Sequence, residues 1–140
     1  MRWFAYNGDA DGICSMVQWG LIHGIEGTRI TGVKRDIELL KRVHPDVGDD
    51  VIVMDISLAR NHSRAKELTN QGFPITWFDH HLEGEPIESL NSHIDTSSDV
   101  CTAIIVEKFL KQESEWAQVA LHGDGLSHHS TKPELKELGE

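Results

Sequence analysis

Trp3-Phe4-Ala5-Tyr6-Asn7-Gly8-Asp9-Ala10-Asp11-Gly12 joins an apolar run to a glycine-flanked acidic turn. The aromatic-rich run reads as a short buried strand. After the turn, Ile13, Met16, Val17, Gly20 and Leu21 recur at helical spacing, which predicts a helix over about 11–23 closed by Gly24. The same grammar returns twice downstream. Val51-Ile52-Val53-Met54 ends at Asp55, and Pro74-Ile75-Thr76-Trp77-Phe78 ends at Asp79-His80-His81. Continuous apolar runs without alternation suit strands buried on both faces, as in a parallel sheet.

The segments between are weaker. Residues 28–33 read as a second strand, and Asp36 as the cap of a short helix carrying Ile37, Leu40 and Val43 and stopped by Pro45. A helix is expected over about 62–71, ended by Gly72, and a short strand over 92–95. Ser98 or Asp99 is expected to cap a helix with Val100, Ile104, Ile105 and Phe109, and another helix covers about 115–121. Strands alternating with helices give an α/β class: a doubly wound, mainly parallel sheet with helices on both faces. Residues 1–126 read as the domain, and 127–140 as a tail, a short docked helix or the start of a second domain.

At 140 residues the chain has the size of one domain. A formal net charge of −10 argues against a broad basic surface for duplex DNA, because backbone affinity comes from Lys and Arg. No apolar run has the length of a membrane span, and no leader pattern opens the chain. Cys14 and Cys101, both among apolar residues, make neither a disulfide framework nor a zinc site, so a cytoplasmic setting is expected.

Crossovers in parallel sheets are right-handed, so the strand C-termini share one edge. Asp9 and Asp11, then Asp55, then Asp79-His80-His81 would converge there from distant parts of the chain. Carboxylates gathered this closely repel unless cations lie between them. Carboxylates with an imidazole suit Mg²⁺ or Mn²⁺ better than zinc, and the imidazole favours Mn²⁺. A pair of such ions activates water and stabilises the leaving oxygen of a phosphoester. Asn7, Asp9, Asp11 and Gly12 also fit the first half of an EF-hand loop, but Gln18 stands where that loop needs a bidentate Glu.

Asp9-Ala10-Asp11-Gly12, Asp55 after its apolar run, and Asp79-His80-His81 resemble the first three motifs of the DHH phosphoesterase superfamily. That superfamily includes RecJ-type exonucleases, oligoribonucleases that also cleave dinucleotides, cyclic-di-AMP phosphodiesterases and family II pyrophosphatases. Ser97-Ser98 and the helix after them resemble the segment next to the third motif in that superfamily, and Asp124 stands where a fourth-motif aspartate is expected. The resemblance covers about residues 3–126. It implies that Asp9 and Asp11 bind one metal each, that Asp55 bridges them, and that His80 and Asp124 complete the second site. Asp79 would bind metal or orient His80, and His81 would face the substrate phosphate. It implies one or two Mn²⁺ or Mg²⁺ ions and hydrolysis of nucleotides, dinucleotides or short single-stranded nucleic acid. Two departures accompany it. Ala5 and Asn7 occupy the positions where many members carry a metal-binding His. Members usually carry a second, C-terminal domain whose glycine-rich basic loop clamps the substrate, and no such segment comes after Asp124. The chain is therefore expected to be an N-terminal fragment, a stand-alone remnant, or a subunit that needs a second domain or a second copy as partner.

Arg60, close after Asp55, is the first candidate for contacting phosphate, ahead of Arg35, Arg42 and Arg64. His122, His128 and His129 are read as part of a solvated C-terminal segment, His23, His44 and His62 as surface residues, and Trp19, Trp77 and Trp116 as core. Two other functions fit parts of the pattern. One is a catalytically incomplete metal- or nucleotide-binding module with a regulatory or assembly role. The other is a receiver- or haloacid-dehalogenase-like domain phosphorylated on Asp55, which leaves His80-His81 unexplained.

Overall fold

Five strands form one sheet in the computed structural model, which describes all residues from 1 to 140. They are β1 (Arg2–Tyr6), β2 (Thr28–Ile30), β3 (Asp50–Met54), β4 (Ile75–Asp79) and β5 (Asn91–Ile94), in the order β2-β1-β3-β4-β5. Every neighbouring pair is parallel. Five helices accompany them: α1 (Ala10–His23), α2 (His62–Asn70), α3 (Thr102–Leu110), α4 (Glu115–Gly123) and the short α5 (Lys136–Gly139). The chain steps from β1 outward to β2, then returns to β3 on the other side of β1. That reversal creates a crevice beyond the carboxyl ends of β1 and β3, the position where open α/β sheets bind ligands.

The alternation of side chains along each strand divides the core. On one face Phe4, Ile52, Met54 and Phe78 pack with Met16 and Trp19 of α1 and Val106 of α3. On the other, Ala5, Val51, Val53 and Trp77 pack with Leu40, Val43 and the α2 residues Ala65 and Leu68. Burying one such side chain contributes about 1.5–3 kcal/mol. That exceeds the whole spread of strand propensity, ~1 kcal/mol, so two-sided burial decides these strands. A third cluster, containing Cys14, Cys101, Ala103, Ala117 and Ala120, joins α1, α3 and α4. Both cysteines are free and buried, and burial pushes the Cys14 thiol up to about 12. No helix is long and apolar enough to cross a membrane.

The structure corrects several boundaries. β2 stops at Ile30, and Thr31 leaves the ladder to donate its hydroxyl to the Tyr6 carbonyl at 2.8 Å. The helix expected near Ile37 is a 3-10 turn, Leu39–Arg42. Asp36 does not cap it; its carboxylate accepts the Val33 N–H at 2.9 Å, and Asn61 accepts the Leu40 N–H instead. α3 begins at Thr102, beyond Val100, with neither Ser98 nor Asp99 as its cap. Its first amides are satisfied by Asp11, far away in sequence, at 2.8 and 3.0 Å. Trp116 is exposed, since α4 turns that position outward. His122 is buried, not solvated: Ser127 lies 2.9 Å from its Nδ1 and the Lys132 carbonyl 3.0 Å from its Nε2. Those two bonds and α5, whose Gly139 packs against the Val119 carbonyl, hold residues 127–140 on α4.

Candidate metal centre at the carboxyl edge of the sheet

The acidic turn after β1 is built by Asn7. Its side-chain oxygen accepts the Asp9 N–H at 2.9 Å and its amide donates to the Lys34 carbonyl at 3.0 Å. Asn7 is buried and both ends of its amide are engaged, so it organises the turn instead of standing free as a ligand. Asp9 caps α1, accepting the Gly12 N–H at 3.0 Å. Gly12 fits only because it lacks Cβ, which would lie 2.0 Å from the Asn7 carbonyl oxygen. In the first turn of α1, Asp11 is 1% exposed.

Asp55 follows β3 with φ at 62°, in the left-handed region that few non-glycine residues occupy. Its N–H donates to the Phe78 carbonyl at 2.8 Å, which fixes the turn. Local strain of this kind concentrates at functional positions. The Asp55 carboxylate accepts the Thr102 hydroxyl at 3.0 Å. Asp79 ends β4 fully buried. One of its oxygens lies 2.6 Å from His81 Nδ1, and the other has no partner. The residue Asp79 orients is therefore His81 and not His80.

His80 takes the central position. Its Nε2 lies 3.5 Å from Asp11, 3.4 Å from Asp55 and 3.6 Å from Asp124. These separations are too long for good hydrogen bonds. They approach the spacing of neighbouring ligands around one ion, about 3 Å for oxygen donors at Mg²⁺ distances. Two sets of donors gather here, Asp11-His80-Asp124 and Asp55-His80-His81, each with ligand atoms within 4.8 Å of one another. The donors, hard carboxylates with imidazole, fit Mn²⁺ or Mg²⁺.

The electrostatics agree with a site completed by cations. Burial raises the Asp11 carboxyl above its ordinary value. Burial, followed by the charges of Asp11 and Asp9, holds Asp55 well above it. Asp124 is raised by burial as well. His81 is raised, chiefly by its hydrogen bond to Asp79, so its charged form is favoured. That pair contributes stability fully below the ordinary imidazole value, about 6.5, and loses it as pH rises through the raised one. Asp79→Asn is expected to lower the His81 pKa toward the ordinary value, read by NMR titration of the ring.

Arg60 is exposed and shares a hollow of about 490 Å³ with Asn7, Asp9, Lys34, Ser57 and His81. Arg64 and Arg42 are engaged elsewhere: Arg64 with Glu67 and the Val43 carbonyl, Arg42 with the Thr31 carbonyl. His128 and His129 are exposed and belong to neither donor set.

The sequence pattern of the DHH family, N-terminal domain, matches residues 3–131. The chain belongs to the DHH family. Solved structures with the same fold include a DHH-domain protein described as a member of a family of ribosomal proteins, 13% identical with a TM-score of 0.63. The exonuclease RecJ bound to manganese is 16% identical with a TM-score of 0.61, and an uncharacterized protein from Helicobacter pylori G27 is 15% identical with a TM-score of 0.63. The alignments cover 96%, 99% and 99% of this chain but 41%, 42% and 46% of those chains, so it spans less than half the length of each. A comparison with curated proteins found no match.

Two residues at this DHH centre escaped the sequence reading. Lys34 lies in a loop with no strand-end signal and reaches the site because Asn7 anchors its carbonyl. Thr102 lay inside what read as an ordinary apolar helix face. The Cys101-Thr102-Ala103 run held no cue that Asp11 would cap it.

Proposed function

We propose that this DHH domain hydrolyses phosphoester bonds of nucleotides, dinucleotides or short single-stranded nucleic acid with Mn²⁺ or Mg²⁺. The observation that carries the reading is His80 Nε2 set among Asp11, Asp55 and Asp124 in the sheet's switch-point crevice. Asp9, Asp11, Asp55, His80 and Asp124 would hold the ions, with the free oxygen of Asp79 in reserve beside them. Bound ions would supply Lewis acidity and lower the pKa of a coordinated water.

The chain's own residues supply the rest. Asp79 orients His81 and favours its charged form, in which His81 would donate to a phosphoryl oxygen. Lys34 and Arg60 border the same hollow and would take further phosphate charge. Small or single-stranded substrates fit a chain of net charge −10 better than duplex DNA does. The manganese in the RecJ structure supports the choice of ion. A second domain or a second copy would close over the substrate.

The purified chain is expected to hydrolyse a linear dinucleotide or p-nitrophenyl phosphate with Mn²⁺, to stop in EDTA and to recover when Mn²⁺ is restored. Turnover that survives EDTA contradicts the proposal. One observation favours a second reading, a binding module without turnover: Asn7 occupies a position where many relatives carry a ligating His, and its oxygen is committed to the Asp9 N–H. Calorimetric Mn²⁺ binding with no hydrolysis of either substrate supports that reading instead.

A further inference from the structure

Thr102 is fully buried and does two separate things. Its N–H donates to one oxygen of Asp11 at 3.0 Å, and its hydroxyl donates to Asp55 at 3.0 Å. The neighbouring Ala103 N–H takes the other oxygen of Asp11 at 2.8 Å. The two carboxylates come from different βα turns, and α3 arrives from much later in the chain. A single residue thus links the carboxylates that follow β1 and β3.

We infer that Thr102 is a positioning residue that fixes Asp11 and Asp55 relative to each other as a preset pair of metal ligands. The inference rests on the metal reading above. With both Asp11 oxygens held by amides at the start of α3, the plane of that carboxylate is set. Each oxygen keeps a lone pair for a cation, since an ionised carboxylate accepts at about four sites.

Asp55 has no such pair of amides. Its backbone is fixed by the Phe78 carbonyl, but its side chain has the Thr102 hydroxyl as its one protein hydrogen-bond donor. Without that hydroxyl, the carboxylate is free to turn about χ1 and χ2 among Asp9, Asp11 and His80. A threonine serving only as the first residue of a helix would need neither full burial nor a bond to a residue 47 positions away. Partners that orient metal ligands in this way commonly change metal affinity about 10- to 100-fold when removed.

The test is calorimetric titration of the chain with Mn²⁺, for wild type, Thr102→Val and Thr102→Ser. Val keeps the shape and removes the hydroxyl, while Ser keeps the hydroxyl. The expected result is Mn²⁺ binding weakened about 10- to 100-fold in Thr102→Val and within about threefold of wild type in Thr102→Ser. Where hydrolysis is measurable, Thr102→Val should raise the Mn²⁺ concentration for half-maximal rate and leave the substrate KM at saturating Mn²⁺ unchanged. Should the Val chain fail to fold, Thr102→Ala replaces it with the same expectation. Wild-type affinity in Thr102→Val overturns the inference and leaves the metal reading standing. Equal weakening in Ser and Val overturns it too, because shape would then be what matters. Absence of Mn²⁺ binding by wild type overturns the metal reading and this inference together.

Discussion

Asp55→Asn is expected to reduce Mn²⁺-dependent phosphoester hydrolysis by about a thousandfold or more, the upper range seen when one charge-stabilising group is removed from an active site. Asn is the right replacement because it tolerates the left-handed backbone that Asp55 adopts. It also still accepts the Thr102 hydroxyl, so the turn and the start of α3 stay in place. The same substitution should act in the opposite direction on the metal-free protein. Burial and the charges of Asp11 and Asp9 hold the Asp55 carboxyl well above its ordinary value. Its ionised form therefore opposes folding at neutral pH. Metal-free Asp55→Asn should melt above metal-free wild type, while losing the response to Mn²⁺. Steady-state kinetics and calorimetric melting with EDTA check both parts. A variant that melts lower and retains its activity would remove Asp55 from the site.

The second large effect is stabilisation by metal, and it depends on pH. Asp11, Asp55 and Asp124 all have raised pKa values in the folded chain. Over the window from the ordinary carboxylate value, about 3.9, up to the raised values, the folded state binds more protons than the unfolded one. Metal-free stability therefore falls as pH rises through that window. Metal binding needs the ionised ligands and tightens over the same range. The Mn²⁺-induced rise in Tm should therefore grow as pH rises from the ordinary carboxylate value through the raised ones. With free Mn²⁺ at about 100 times Kd, linkage gives ~2.7 kcal/mol, or roughly 8 °C for a chain of this length. Differential scanning calorimetry with Mn²⁺ and with EDTA, across pH, measures it. A shift that shrinks as pH rises would mean that these carboxylates are not the ligands.

The gathering of these acids at one edge of the sheet could be read from the sequence because parallel strands leave two separate marks. Val51-Ile52-Val53-Met54 is apolar at every position, since both faces are covered, and the acid that ends the run must stand at the sheet's edge. Three runs of that kind are enough to bring Asp9 and Asp11, Asp55 and Asp79-His80-His81 together from sequence alone. The periodicity of α1 is equally plain. The failures share a cause of their own. Where a polar group is satisfied from far away, local cues mislead. Ser98 and Asp99 are good cap residues by composition, but Asp11 takes over the start of α3. Asp36 is spent on the Val33 amide, and the segment it was expected to cap makes a 3-10 turn. His122 is polar and near the end of the chain, yet its two bonds bury it. The pairing of Asp79 with His81 could not be read either, because three adjacent residues leave open which of them faces which.

If the cluster of carboxylates around His80 binds divalent metal at the switch point of the sheet, anomalous diffraction from crystals soaked in Mn²⁺ will locate the ion there. At least one manganese peak is expected, bounded by Asp11, Asp55, His80 and Asp124, and lost in Asp55→Asn crystals soaked at the same concentration. Manganese bound only elsewhere on the surface, or no peak at this cluster at a concentration that supports hydrolysis, would contradict it.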